Sequence, residues 1–353
     1  MERYIGLDAH SQSCTFAVMG PSGRHLQEQV LETQGTLLVS FLRNIPGDRY
    51  LCFEEGAMSE WLYELLEPYT KETLVTQPQY RPGTKNDSRD AWDLADAYRI
   101  GALKRVVFKA PDQFTALRQA MRGYHAATQD VVRAKHRLKS VFRSRGLTPT
   151  AEIYDSPGAR SKWLKRLPVA HRMLAQLYCQ TLEAAEEAQE QAEAWLLEEG
   201  NKSDAVRRLT SVPGIGPIRA AEIVAIVVTP TRFRTKRQFW SYCGFAVVMR
   251  SSANYKRRPG GGLEKQPVIE TRGLNRNRNP VLKAAFVGAA MTVIQRMPAH
   301  TLHQDYQRLI QAKVDPAMAR LTIARRIAAA TWAIWKHKEE YDPARHQAAK
   351  SSV

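Results

Sequence analysis

Tyr4-Ile5-Gly6-Leu7-Asp8 sets the character of the amino-terminal part of the chain: an apolar, strand-like run that stops on a carboxylate. Tyr50-Leu51-Cys52-Phe53-Glu54 repeats the pattern, again ending on an acid. Further on, Asp87 and Asp90 open the helix-like stretch Asp87-Ser88-Arg89-Asp90-Ala91-Trp92-Asp93-Leu94-Ala95-Asp96, and their spacing of three puts both on one helical face. Carboxylates at two strand ends and a helix start can converge. Their hard oxygens suit Mg²⁺ or Mn²⁺, and a pair of such ions activates the attacking oxygen and stabilises the leaving oxygen of a phosphodiester.

Outward from these acids, residues 3 to 31 alternate well enough for three strands, with Gly20-Pro21-Ser22-Gly23 turning the second into the third. Leu37, Leu38, Phe41 and Leu42 recur at helical spacing, as do Trp61, Leu62, Leu65 and Leu66 after the Glu54 strand, and Glu72 to Gln77 reads as a fifth strand. Three strands followed by alternating strand and helix, with acids at the strand ends, predicts a ribonuclease-H-like α/β domain over residues 1–108.

Phe114, Leu117, Met121, Tyr124, Thr128, Val131, Lys135, Leu138 and Phe142 step by three and four, which is a heptad seam. A second long helix is expected from about Val169 to Glu199, with Leu174, Leu177, Leu182, Ala185, Ala188, Ala192 and Trp195 on its seam and a solvated face of glutamates. Residues 109–200 therefore predict a coiled-coil, oligomerising linker. The remainder, 201–341, reads as a helical domain, and 342–353 as a loose polar tail.

Val212-Pro213-Gly214-Ile215-Gly216 lies between two helical patterns and has two readings. One is a helix-hairpin-helix in which Gly214 and Gly216 let the backbone meet a nucleic-acid phosphate; the other is a tight helical turn. Residues 250 to 283 show little periodicity. They gather Arg250, Lys256, Arg257, Arg258, Arg272, Arg276 and Arg278 around the flexible Pro259-Gly260-Gly261-Gly262, a surface for nucleic-acid phosphates.

Composition agrees with such a partner. Over 353 residues, 52 Lys and Arg against 35 Asp and Glu leave a formal charge of +17, which favours polyanions, and the 44% hydrophobic content is enough for a buried core. No apolar run approaches the roughly 20 residues of a membrane span, and no secretory h-region opens the chain, so a cytoplasmic protein is expected. Cys14, Cys52, Cys179 and Cys243 are isolated, without zinc-ligand spacing, and are expected to be inert buried thiols.

Taken in order, the Asp8 strand, the Glu54 strand, the Asp87-x-x-Asp90 helix start and the Pro-Gly-Ile-Gly hairpin before a basic, serine-containing segment resemble the DEDD transposases of the insertion-sequence-110 type, recombinases whose relatives include Piv-like DNA invertases. Lys85-Asn86-Asp87-Ser88-Arg89-Asp90-Ala91 matches the family's Lys-x-Asp-x-x-Asp-Ala run and is the most specific match. The resemblance implies a RuvC-like domain joined through a coiled coil to a carboxy-terminal transposase domain. It also implies metal-binding roles for Asp8, Glu54, Asp87 and Asp90, and a serine nucleophile after a helix ending like Phe239-Trp240-Ser241-Tyr242-Cys243-Gly244.

Counting forward places that nucleophile at Ser252, with Ser251 beside it. The chain has Ser252-Ala253 where the family has Ser-Gly, and Glu54-Glu55-Gly56 where it has Glu-Ala-Thr-Gly, so Ser251 and Glu55 stay as alternatives. Implied partners are donor and target DNA, a structured guide (bridge) RNA that chooses sites by base pairing, and further copies of the chain in a dimer or tetramer. Two other functions compete: a RuvC-like, metal-dependent junction nuclease with no covalent step, and a non-catalytic nucleic-acid-binding scaffold.

Overall fold

The computed structural model describes residues 1–78, 87–103, 108–250, 255–265 and 270–343. Among these, contacts divide the chain into two compact units, Met1–Gln113 and Phe114–Val353.

The first unit is built on β1 (Glu2–Ala9), β2 (Ser13–Met19), β3 (His25–Glu32), α1 (Gly35–Asn44), β4 (Asp48–Glu54), α2 (Ser59–Leu66), β5 (Glu72–Thr76) and α3 (Asp87–Arg99). Its sheet has the order β3-β2-β1-β4-β5: β1, β2 and β3 are antiparallel neighbours, while β4 and β5 continue parallel to β1. This is the mixed sheet expected from the acid-ended strands. The two faces follow from alternation along each strand. Ile5, Leu7, Phe16, Val18, Leu51, Phe53 and Val75 point one way and form a core with Leu38 and Leu42 of α1 and Leu62 and Leu66 of α2. Each such side chain contributes about 1.5–3 kcal/mol on burial.

Helix α3 covers the opposite face. Gly6 is what lets it approach, because a methyl at position 6 would overlap the Ala91 carbonyl oxygen and lie 2.7 Å from the Ala95 nitrogen. Alongside, the Cys52 thiol donates to the Leu94 carbonyl at 3.2 Å, and the rings of Tyr4 and Tyr50 lie edge-on to Tyr98.

In the second unit the chain is mostly helical: α4 (Thr115–Arg143), α5 (Glu152–Asp155), α6 (Pro157–Lys165), α7 (Val169–Asn201), α8 (Asp204–Leu209), α9 (Pro217–Val227), α10 (Lys236–Tyr242), then after the strands α11 (Pro280–Arg296), α12 (Thr301–Gln311) and α13 (Pro316–His337). Helices α4 and α7 pack antiparallel. Gly123 faces Trp195, Gln189 Nε2 donates to Thr128 Oγ1 at 3.1 Å, and Lys135 Nζ pairs with Glu186 Oε1 at 3.0 Å. Of the α4 positions expected at the seam, Leu117, Val131, Leu138 and Phe142 are buried, and the others are half-buried. On α7 the seam is shifted: Ala175, Cys179 and Leu182 are buried, whereas Leu174 and Leu177 are exposed. Small side chains let the two backbones close up, and the larger leucines turn outward.

Helix α9 is buried at every position from Ala220 to Val227, including Glu222. That acid is matched by His125 of α4, whose Nε2 lies 2.8 Å from Glu222 Oε1. The hydrogen bond to Glu222 raises the His125 pKa above its ordinary value, against the opposing effect of burial. A raised folded-state pKa gives stability that is full below the unfolded value near 6.5 and is lost as pH rises through the folded value. His125→Asn should therefore lower stability by about 1.5–3 kcal/mol on the acid side, the scale of a charge-assisted hydrogen bond. The gap between the wild-type and variant melting temperatures should narrow as pH is raised from 6 to 9; a gap constant with pH would remove the ion pair from the account.

Between 247 and 274 the described residues form short strands where an irregular stretch was expected. β6 (Val247–Arg250) pairs antiparallel with β9 (Glu270–Leu274), and β7 (Tyr255–Arg257) with β8 (Leu263–Lys265). Strands of three to five residues are too short to leave a period in the sequence. All four cysteines are buried, and burial pushes the Cys52 and Cys243 thiols far above their ordinary pKa. No described helix is long and apolar enough to cross a membrane.

Candidate functional site

The register of β1 and β4 pairs Gly6 with Cys52 and Leu7 with Phe53, so Asp8 and Glu54 are the next residues of two adjacent parallel strands. By alternation Asp8 shares the face of Gly6 and Glu54 that of Cys52, the face covered by α3. The helix runs antiparallel to both strands: Tyr98 lies over Tyr4 and Tyr50, and Ala91 and Ala95 over Gly6. Its first turn, holding positions 87 and 90, therefore belongs at the strand ends where Asp8 and Glu54 stand. Positions 87 and 90 also lie four residues before the buried Ala91 and Leu94, on the stripe that faces the sheet.

Asp8 and Asp90 are half-buried, as is Glu54, while the Asp87 side chain lies outside the described residues. Glu55 is exposed, and its backbone N–H donates to the Thr76 carbonyl at 2.6 Å, which directs Glu54 rather than Glu55 to the α3 face. Among the described residues no three His, Cys, Asp or Glu side chains gather closely enough to hold a metal ion. The fit to a divalent cation rests instead on donor chemistry and topology: hard carboxylate oxygens at the ends of adjacent strands, under a helix start whose own first turn is acidic.

His10 was not apparent as a functional residue from sequence. Its Nε2 lies 3.1 Å from Asp8 Oδ2, and its carbonyl accepts from Thr33 Oγ1 at 2.7 Å, so β3's end fixes the turn that carries the imidazole. An Asp-x-His at the end of a strand is the signal that could have found it, since residues two apart share a face.

In the second unit, Pro213-Gly214-Ile215-Gly216 joins α8 to α9. Gly214 has φ +77°, and a methyl there would lie 2.9 Å from the Ala289 carbonyl carbon, so this glycine seats the turn on α11. Gly216 caps α9 and has open space around it. Both glycines line a cleft of about 840 Å³ together with Ser211, Arg219, Arg296 and His300. Arg219 Nη1 donates to the Gly214 carbonyl at 2.8 Å and to Thr292 Oγ1 at 3.2 Å, which holds a guanidinium beside the turn.

Ser251 and Ser252 lie outside the described residues, directly after β6. Arg250 and Arg272 are placed by backbone in β6 and β9, and their side chains lie outside the described residues. Lys256, Arg257, Arg258 and Arg276 are exposed. Arg278 is half-buried, with its stem in the space a side chain at Gly244 (φ +76°) would need, so it supports the turn after α10 as well as adding charge.

Two family descriptions match the chain: "Transposase", of the IS110 DEDD type, over residues 5–145, and "Transposase IS116/IS110/IS902 family" over residues 206–266. Together they span more than half of it. The chain is also similar to a probable family 20 transposase of Pseudomonas aeruginosa, at 25% identity across 96% of this chain and 98% of that protein. A putative transposase, y4pF/y4sB, of Sinorhizobium fredii is 22% identical across 89% of this chain and 79% of that protein.

Proposed function

We propose that this chain, which belongs to the IS110-type DEDD transposases and is therefore an enzyme acting on DNA, cuts and rejoins strands of an insertion sequence through a serine-linked intermediate. The observation that carries this reading is the placement of Asp8 and Glu54 on adjacent strand ends beneath the first turn of α3. Asp8, Glu54, Asp87 and Asp90 would hold Mg²⁺ or Mn²⁺, which when bound offsets charge on the phosphate and lowers the pKa of an attacking hydroxyl. Asp8 is oriented for this by His10.

Ser252 Oγ attacks the phosphorus of a DNA strand. The Oγ–P bond forms as the P–O3′ bond breaks; the serine gives up its proton and O3′ gains one. One ester replaces another, so a second strand's 3′-hydroxyl reverses the step without external energy. Ser251 is the alternative nucleophile. Arg250, Lys256, Arg257, Arg258, Arg272, Arg276 and Arg278, with the Gly214–Gly216 turn, contact the nucleic acid. The partners are donor and target DNA, a structured guide RNA, and one or three further copies of the chain, in the cytoplasm. The charge of +17 supports a load of several polyanions.

The test is Asp8→Asn, which keeps shape and removes charge. Strand cleavage in Mg²⁺ should fall by about 10²–10³-fold, the scale of losing one electrostatic contact to a reacting phosphate, with DNA affinity retained. Cleavage at the wild-type rate would defeat the metal site.

A further inference from the structure

The hairpin β7–β8 has no buried face: every described side chain from Tyr255 to Glu264 is exposed, with Tyr255 at 52% and Leu263 at 67%. A two-stranded ribbon of this kind is marginal in water, and leaving Tyr255 and Leu263 in solvent adds to the cost. Its register pairs Lys256 with Glu264 and Arg257 with Leu263. Alternation then makes the two faces unlike. One presents Lys256 and Arg258 around Glu264, with Arg258 Nε 3.5 Å from Glu264 Oε2, so that one carboxylate offsets two cations. The other presents Tyr255, Arg257 and Leu263, an aromatic ring and an apolar side chain about a cation with no acid across the ladder. The tip is Pro259-Gly260-Gly261-Gly262, where a methyl on any of the three glycines would meet nothing within 4 Å.

We infer that β7–β8 is a ribbon that enters the major groove of duplex DNA, turning Tyr255, Arg257 and Leu263 to the base edges and leaving Lys256 and Arg258 for the flanking phosphates. Dimensions favour this partner over duplex RNA. Paired strands lie about 4.8 Å apart, and a two-stranded ribbon fits the roughly 12 Å major groove of B-form DNA. The major groove of A-form RNA is too narrow for it. A tip with three successive glycines lets the ribbon sink to its strands, and an arginine flanked by apolar groups suits guanine edges and thymine methyls. The inference rests on the chain's action on DNA, and assigns the contact to one face of one element.

The test uses the full-length protein, titrated by fluorescence anisotropy onto a mixed-sequence DNA duplex, the same duplex with glucosylated hydroxymethylcytosines that fill the major groove, and an RNA duplex of the same sequence. Arg257→Ala should weaken binding to open DNA about 5-fold or more, from base-edge contacts worth about 1–3 kcal/mol. Lys256→Ala, in the same ribbon and therefore a control for its integrity, should weaken it less and reduce the salt slope by about 1. Wild type should lose affinity on the blocked duplex by the factor that Arg257→Ala loses on the open one, and Arg257→Ala should lose no more when the groove is filled. The inference is overturned if wild type binds blocked and open DNA equally, if Arg257→Ala costs no more than Lys256→Ala, or if RNA binding falls as far. Failure of wild type to bind any DNA duplex would instead remove the DNA-contacting role of the whole basic segment, the ribbon included.

Discussion

A Ser252→Ala chain should bind its DNA yet form no covalent protein–DNA adduct, with strand transfer reduced on the order of 10⁶-fold, the scale on which loss of a serine nucleophile acts. The measurement is a denaturing gel of protein, element transcript, donor and target DNA in Mg²⁺. The wild-type chain should yield a DNA-shifted band, and Ser251→Ala should keep it. The reverse pattern would move the nucleophile by one residue. Undiminished cutting by both variants would leave a metal-dependent nuclease as the activity. The effect should be this large because no other group can replace the bond that Ser252 makes. A lost carboxylate leaves its neighbours partly able to hold a cation, but a lost nucleophile leaves no intermediate.

Gly6→Ala should be the most damaging change in the first unit, costing about 3 kcal/mol or more, the upper range for overpacking a core. The added methyl meets backbone, the Ala91 carbonyl oxygen and the Ala95 nitrogen, and no rotamer change can move these aside. Helix α3 must lift from the sheet. Its first turn moves with it, so the variant should lose cleavage even under conditions where it stays folded. Thermal unfolding read beside cleavage at a temperature below both transitions separates the two effects. Full cleavage at low temperature would mean that the position of α3 does not matter to the acids.

The strands ending at Asp8 and Glu54, and the helix opening at Asp87, were legible because each is a local pattern: an apolar run, an alternation, a spacing of three. The close approach of α3 was not, since it depends on the absence of a side chain at Gly6. The α7 seam was misjudged for a related reason. Hydrophobicity singled out Leu174 and Leu177, whereas antiparallel packing against α4 chose the smaller Ala175 and Cys179. The burial of Glu222, on a helix packed on all sides with His125 beside it, left no local pattern to read. The His10 contact needed the β1–β2 turn and Thr33 from the end of β3, residues separated in sequence by 23 positions.

The burial of the four cysteines gives the molecule internal reporters. Cys14 and Cys52 belong to the first unit, Cys179 and Cys243 to the second, and none can meet a thiol reagent while its surroundings are closed. Alkylation of each therefore counts the openings of its own neighbourhood. Peptide-resolved labelling of the unmodified chain, with and without DNA, follows both units separately in a single tube.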